Sequence, residues 1–245
     1  MGVDHITCPA APGVVAEGAR LHMFLQEHFN VLGGVIEHLV SDDGGRTFIR
    51  TVTALRSDAT VDEAGIYDPD GAAIGGVRYL TYAAMTTVGQ PDLFLARSRS
   101  GSWAGPWERL GRILGHEDVE CHNQRGCPDY EWGLEGPHLL ELPDGRVLLT
   151  AVCFLAGSPA GSRQRVLLAV ADRPEGPYEV IGPAVETAGA SGENGHGTSV
   201  LDGDVVHVVY QERAGEGLPW RIRHTALSDE TLGVVVDLCD EETAA

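Results

Sequence analysis

The stretch "EGPHLLELPDGRVLLTA" at residues 135–151 contains a short apolar segment, a Pro-Asp-Gly turn and a second apolar segment. This pattern is typical of two antiparallel β-strands joined by a tight hairpin. Similar stretches are "CPAAPGVVAEGARLHMFLQ" from Cys8, "DPDGAAIGGVRYLTYAA" from Asp68 and "GHGTSVLDGDVVHVVYQ" from Gly195. The chain therefore contains internal repeats, and each repeat opens with a hairpin.

A second pair of strand-like segments follows each hairpin. These segments are "VIEHLVSDDGGRTFIRTVTAL", "DLFLARSRSGSWAGPWERLGRIL", "RVLLAVADRPEGPYEVIGPAV" and "RIRHTALSDETLGVVVDL". Each repeat thus predicts a four-stranded antiparallel sheet of about 45–60 residues, the size of a propeller blade. We predict an all-β fold, a β-propeller forming a single domain over residues 1–245. Its blade repeats cover about residues 3–60, 61–115, 133–187 and 190–238.

A β-sandwich is the alternative architecture for so many short strands. It does not explain why the spacing of proline and arginine recurs. Pro69 precedes Arg78 by nine residues, and Pro137 precedes Arg146 by the same nine. In the first repeat we take Pro9 as the matching proline, which makes that turn slightly longer. The recurrent spacing favours the propeller.

Composition restricts the partners. The formal net charge of −19 argues against nucleic acid and anionic membranes, which would repel the chain. No apolar run is long enough to span a bilayer, and the first residues lack the pattern of a signal peptide. Five cysteines without a framework spacing fit reduced thiols. These features predict a cytoplasmic protein whose partner is neither nucleic acid nor a membrane.

Short motifs in the repeats resemble known propeller enzymes. "SDDGGRTF" at residues 41–48 resembles the Asp-box turn of sialidases and related propellers. "YDPDG", "LEGPH" and "ENGHGTS", in that order, resemble the third, fourth and fifth blades of five-bladed glycosidases such as glycoside hydrolase family 43. "GPW" at 105–107 and "GPY" at 176–178 resemble the outer-strand turns of that family. The resemblance covers nearly the whole chain.

The resemblance implies roles for individual residues. Glu135 corresponds to the general acid of the family, and Asp68 to the carboxylate that tunes the pKa of the acid and orients it. His196 corresponds to a histidine near the propeller axis, which can serve a bound Ca²⁺ through water, and it is also a candidate for substrate binding. The resemblance further implies a small-molecule or sugar-like substrate and an activity for which no cofactor is expected to be required. The chemistry is consistent, because burial and a neighbouring carboxylate both raise a carboxyl pKa and keep a proton available.

The general base of the family has no counterpart. "TCPAAPGVV", with Cys8-Pro9, resembles the second blade, and too few residues precede it for a first blade. Asp4, just ahead of the first strand, and Asp70, two residues beyond Asp68, are the candidates to replace the missing base. Asp70 is also a candidate for substrate binding. Four repeats are visible where the family has five blades, and four blades can also close a propeller.

The longest insertion runs from Gly115 to Gly133, just before Glu135. Its cysteines, Cys121 and Cys127, have a spacing that is wrong for common zinc sites. We expect a loop over the mouth of the central funnel of the propeller, because long loops on rigid scaffolds commonly hold residues that recognise a ligand. Tyr130 and Trp132 in this insertion either stack on a sugar or cover a blade edge.

Three functions remain open on this basis. The first is a glycosidase-like enzyme with Glu135 and Asp68 as a carboxylate pair in a central funnel. The second is a propeller enzyme that catalyses cyclisation, dehydration or isomerisation of a small metabolite by proton transfer. Such a reaction needs no base to activate water when the substrate supplies its own nucleophile. The third is a non-catalytic sugar-binding module.

Overall fold

The computed structural model describes residues 10–27, 34–58, 60, 65–85, 91–123, 133–154, 164–185, 191–215, 217–227 and 232. Contacts divide the chain into two compact units. One unit comprises Met1–Gly115 and Gly133–His138, and the other comprises His116–Trp132 and Leu139–Ala245. No helix in the described ranges is long and apolar enough to cross a membrane.

The first unit contains two antiparallel sheets, each formed by four consecutive strands. In the first sheet the strands are β1 (Ala10–Glu17), β2 (Arg20–Glu27), β3 (Val35–Ser41) and β4 (Ile49–Arg56). In the second they are β5 (Gly65–Ile74), β6 (Val77–Met85), β7 (Pro91–Ser98) and β8 (Trp107–Leu114). Neighbours along the chain are neighbours in each sheet, as the hairpin pattern predicts.

The third and fourth repeats follow the same order. Their strands are β9 (Leu134–Glu141), β10 (Val147–Phe154), β11 (Gln164–Ala171) and β12 (Glu179–Pro183), then β13 (Glu193–Asp202), β14 (Val205–Arg213) and β15 (Arg221–Leu227). The predicted all-β architecture of consecutive antiparallel blades is confirmed. The predicted last strand of the fourth repeat, at 234–238, lies outside the described residues.

Apolar side chains that alternate along the strands form the cores. In the first unit the core includes Phe24, Ile36, Leu80, Tyr82 and Trp103. In the second unit it includes Leu148, Val166, Leu168, Val208 and Tyr210. Each core draws residues from two successive sheets, which is why one repeat cannot bury its apolar surface alone.

The first strand of every repeat contains a residue in the left-handed backbone region. These residues are Ala11 (φ 44°), Asp68 (φ 48°), Gly136 (φ 56°) and His196 (φ 43°). In β1, β5 and β13 the strand register shifts at this point, as at a β-bulge. Non-glycine residues seldom adopt this conformation, and such strain clusters at functional sites.

The bulges correct the alignment of the repeats. Asp68 and Gly136 directly precede the repeat prolines, and in the first repeat Ala11 precedes Pro12 in the same way. The matching proline is therefore Pro12 and not Pro9. Asp68 itself occupies the left-handed position of β5, whereas Glu135 lies one residue before Gly136, which occupies that position in β9.

Side chains close the β3–β4 hairpin as the sequence suggests. Asp43 Oδ1 accepts hydrogen bonds from Ser41 Oγ (2.8 Å) and the Thr47 N–H (2.9 Å). Thr47 Oγ1 donates to Asp43 Oδ2 at 2.6 Å. These bonds lower the pKa of Asp43 to about 2. Kinship with the Asp-box stays a prediction.

The long insertion differs from expectation at its start. It was predicted as a loop, but its first part forms the helix α1 (His116–Asn123). Glu117 and Asp118 in the first turn favour helix formation there, because acidic residues complement the positive end of the helix dipole. Residues 124–132, which include Cys127, Tyr130 and Trp132, lie outside the described residues.

Candidate functional site

Asp68 is held in place by two backbone contacts. Its own N–H donates a hydrogen bond to Gln26 Oε1 on β2, at 2.6 Å. Its Oδ2 accepts a hydrogen bond from the N–H of Gly136 on β9, at 3.1 Å. Asp68 is buried, with 6% of its surface exposed. The bulge therefore directs this carboxylate toward the first residues of β9, next to Glu135.

Glu135 lies at the start of β9 and is partly buried. Burial raises the pKa of its carboxyl, and the negative charge of Asp68 raises it further. The hydroxyl of Tyr67 opposes these effects, and the resulting pKa is about 8. Glu135 therefore retains a proton at neutral pH, when an ordinary glutamate would have lost it.

Two polar groups beside Asp68 are buried without a hydrogen bond of standard geometry to any described residue. They are the Tyr67 hydroxyl and Gln26 Nε2. Burial, then the charges of Glu135 and Asp68, raise the pKa of Tyr67, so the phenol stays protonated and remains a donor. Buried polar groups without a protein partner are uncommon and mark places where a ligand or water binds.

A second acid–base pair lies two residues further along the same strands. His138 Nδ1 on β9 and Asp70 Oδ2 on β5 are 2.5 Å apart. Their side chains are 20% and 17% exposed. Thr81 Oγ1 supports both strands, with distances of 3.2 Å to the Asp70 carbonyl and 3.2 Å to the Pro137 carbonyl. The pair is thus anchored at the backbone of each strand.

The close approach of β1 contributes to this pair. A Cβ atom at Gly13 would lie 2.5 Å from Asp70 Oδ1 and 2.4 Å from the Pro69 carbonyl oxygen. A side chain at this position would displace the carboxylate. Glycine at position 13 is therefore required for Asp70 to keep its place.

Two hydrogen-bonded contacts, spaced two residues apart, connect β5 and β9. Asp68 bonds to Gly136 and Asp70 to His138, and each pair is separated by 68 residues in sequence. The sequence interpretation identified Asp68, Glu135 and Asp70 but gave His138 no role. The signal was present, since Asp70 and His138 each directly follow a repeat proline.

The remaining predicted residues lie in the other unit or outside the described residues. His196 belongs to the other unit, where it is exposed and occupies the left-handed position of β13. Its proposed roles in substrate or Ca²⁺ binding stay predictions. Tyr130, Trp132 and Asp4 lie outside the described residues.

The cluster combines a carboxyl of raised pKa with a carboxylate–imidazole pair. Glu135 is a carboxylic acid that holds its proton near neutral pH. The imidazole of His138, a group that can donate or accept protons, contacts the Asp70 carboxylate. Acid–base catalysis needs a donor and an acceptor of this kind within one site.

No protein-family model and no curated protein sequence matches the chain. Solved structures do match it. An α-L-arabinanase of Penicillium chrysogenum aligns with a TM-score of 0.63 and 15% identity, covering 91% of this chain and 64% of that one. A fructan 1-exohydrolase IIa of Cichorium intybus aligns with a TM-score of 0.64 and 13% identity, covering 91% and 43%.

A family 117 glycoside hydrolase of the marine bacterium Zobellia galactanivorans aligns with a TM-score of 0.58 and 15% identity, covering 90% of this chain and 69% of that one. All three structures are propeller-type glycoside hydrolases. At such low identity the likeness shows the fold alone, and it confirms the β-propeller. The chain spans from 43% to 69% of the length of these three structures.

Proposed function

We propose that this chain is a glycosidase-like enzyme in which Glu135 donates a proton to the leaving oxygen of a glycoside. Asp68 keeps that proton in place at neutral pH through its negative charge. The single observation that carries this proposal is the placement of two carboxyls side by side. Asp68 bonds to the N–H of Gly136, the residue directly after Glu135, and burial together with the Asp68 charge raises the pKa of Glu135 to about 8. Cleavage of a glycosidic bond needs such a donor because the departing alkoxide is a poor leaving group.

The surroundings of the carboxylates suit a sugar. Gln26 Nε2 is a buried donor without a hydrogen bond to any described residue, and the buried Tyr67 hydroxyl lies beside Glu135. Sugar hydroxyls accept hydrogen bonds of this kind, and polar groups placed at fixed positions orient a ligand in its pocket. The fold likeness to an arabinanase and a fructan exohydrolase directs the first choice of substrates to arabino- and fructo-oligosaccharides.

The experiment is hydrolysis of these oligosaccharides and of a panel of aryl glycosides by the wild type and two variants. Glu135→Gln removes the proton donor with little change of shape. Glu141→Gln changes an exposed glutamate at the other end of the same strand and serves as the matched control. We expect the Glu141 variant to match the wild type and Glu135→Gln to lose at least about 100-fold on oligosaccharides. Equal rates for all three proteins contradict the proposal.

A further inference from the structure

We propose that His138, oriented by Asp70, is the general base of this site. This inference rests on the proposed glycosidase function and assigns its second proton transfer. Neither of the two aspartates considered from the sequence is needed as the base. Asp70 instead acts on His138.

The hydrogen bond between the two side chains sets the tautomer of the imidazole. Asp70 Oδ2 lies 2.5 Å from His138 Nδ1, and an ionised carboxylate only accepts. In the neutral ring the proton therefore resides on Nδ1, and Nε2 carries the lone pair that can accept another. Once Nε2 is protonated, the Asp70 charge stabilises the imidazolium.

The position of the pair suits a base that works with Glu135. His138 is three residues beyond Glu135 on β9, so their backbones are at most about 10 Å apart. Inverting glycosidases separate acid and base by about 6.5–9.5 Å, which leaves room for a water. His138 is 20% exposed, so the ring is held by Asp70 and still reaches the solvent side.

The reaction balances with water as the only co-reactant. His138 Nε2 removes one proton from the water as its oxygen bonds to the anomeric carbon. The bond from that carbon to the leaving oxygen breaks, and the leaving oxygen takes the proton of Glu135. The imidazolium then releases its proton to solvent, and Glu135 regains one.

Three variants separate a catalytic role from a structural one. His138→Asn keeps an N–H donor near the position of Nδ1, which can still bond Asp70, but it deletes Nε2. His138→Gln places an amide nearer to Nε2 without its basicity. Asp70→Asn keeps the shape of the carboxyl, but its amide no longer favours the Nδ1–H tautomer and has no charge to stabilise the imidazolium.

Leaving-group dependence tells the base from the acid. The substrates are matched pairs of 2,4-dinitrophenyl glycosides, whose leaving group needs no proton, and unactivated oligosaccharides. We expect His138→Asn and His138→Gln to lower kcat about 100- to 10,000-fold on both kinds of substrate. Glu135→Gln is expected to lose far more on the oligosaccharides than on the dinitrophenyl glycosides. Added imidazole should restore part of the activity of His138→Ala.

A second measurement does not need turnover. Nitrogen NMR of the histidine rings, with His138 assigned by comparison with His138→Asn, reports the tautomer directly. We expect Nδ1–H in the neutral ring of the wild type and of Glu135→Gln, and a loss of that preference in Asp70→Asn. An Nε2–H tautomer in the wild type overturns the inference.

The outcomes distinguish this inference from the proposed function. Wild-type rates for His138→Asn, together with a loss for Glu135→Gln, overturn the base assignment and leave the glycosidase function standing. A wild type that cleaves no glycoside of the panel overturns the function itself, and with it the hydrolytic role of His138.

Discussion

The Asp68 carboxylate accepts a hydrogen bond of 3.1 Å from the backbone N–H of Gly136, the residue directly after Glu135. Asp68 thereby places its charge beside Glu135 while bonding to the backbone next to it. Burial and then this neighbouring charge raise the pKa of Glu135, while the Asp68 contact leaves the Glu135 proton unused. The left-handed conformations of Asp68 and Gly136, at φ 48° and φ 56°, accompany this contact.

The first prediction concerns the pH dependence of kcat/KM. The active form needs a protonated Glu135, so activity should fall as the pH rises through about 8. In Asp68→Asn the neighbouring charge is gone, the pKa of Glu135 falls, and this alkaline limb should move to lower pH. Asparagine suits the test because it tolerates positive φ and its side-chain oxygen can still accept from Gly136. An alkaline limb at the same pH in both proteins contradicts the role given to Asp68.

The second prediction concerns stability. The folded pKa of Glu135, about 8, exceeds its usual value of 4.5, so the folded state binds this proton more tightly. Stability should therefore decline as the pH rises from about 4.5 to about 8 and then level off. Glu135→Gln removes this loss. Because one pH unit of pKa difference corresponds to about 1.4 kcal/mol, we expect the variant to be more stable than the wild type at pH 9 by at least about 1 kcal/mol.

Urea denaturation at pH 5 and pH 9 measures this difference. The gain should be larger at pH 9 than at pH 5, since at pH 5 most of the wild-type loss has not yet developed. Glu141→Gln, on the exposed end of the same strand, should show no such pH-dependent gain. If Glu135→Gln gains the same stability at both pH values, ionisation of Glu135 does not destabilise the folded wild type, which contradicts the prediction.

The third prediction concerns the contact between β1 and Asp70. A methyl group at position 13 would lie 2.5 Å from Asp70 Oδ1. We expect Gly13→Ala to cost about 1–3 kcal/mol in the free energy of unfolding and to disturb the Asp70–His138 pair. Gly215→Ala is the control, because its nearest neighbour would lie at 3.4 Å. Denaturation curves and the His138 ring signals should change in the first variant and stay unchanged in the second.

The fourth prediction separates the hairpin turn from the site. Asp43 bonds to Ser41 and Thr47 within the β3–β4 turn. Asp43→Ala should lower the melting temperature, because these bonds are lost, and should leave kcat and KM unchanged. A changed KM with an unaltered melting temperature would give this turn a functional role that the account does not assign to it.

The repeat and two of its carboxylates could be predicted from the sequence. The spacing from Pro69 to Arg78 equals that from Pro137 to Arg146, and this periodicity identified the blades. The resemblance of the DP and EGP motifs to those of five-bladed glycosidases pointed to Asp68 and Glu135. Hydrophobic alternation is a local property, so it survives as a signal without any knowledge of the fold.

Other features depend on contacts between distant segments. The residue before a proline usually adopts an extended conformation, so nothing local indicated the left-handed φ of Ala11 and Asp68. For the same reason Pro9 was taken for Pro12. His138 was missed because its partner, Asp70, lies 68 residues away. The helix α1 was missed because its composition lacks a clear apolar face.

Titration of the Glu135 carboxyl by carbon NMR tests the central claim most directly. The protein is labelled at glutamate side-chain carboxyl carbons, and the signal is assigned by its loss in Glu135→Gln. The account predicts a midpoint near pH 8 in the wild type and a clearly lower one in Asp68→Asn. A wild-type midpoint near 4.5, unchanged in Asp68→Asn, would contradict the assignment of Glu135 as the proton donor.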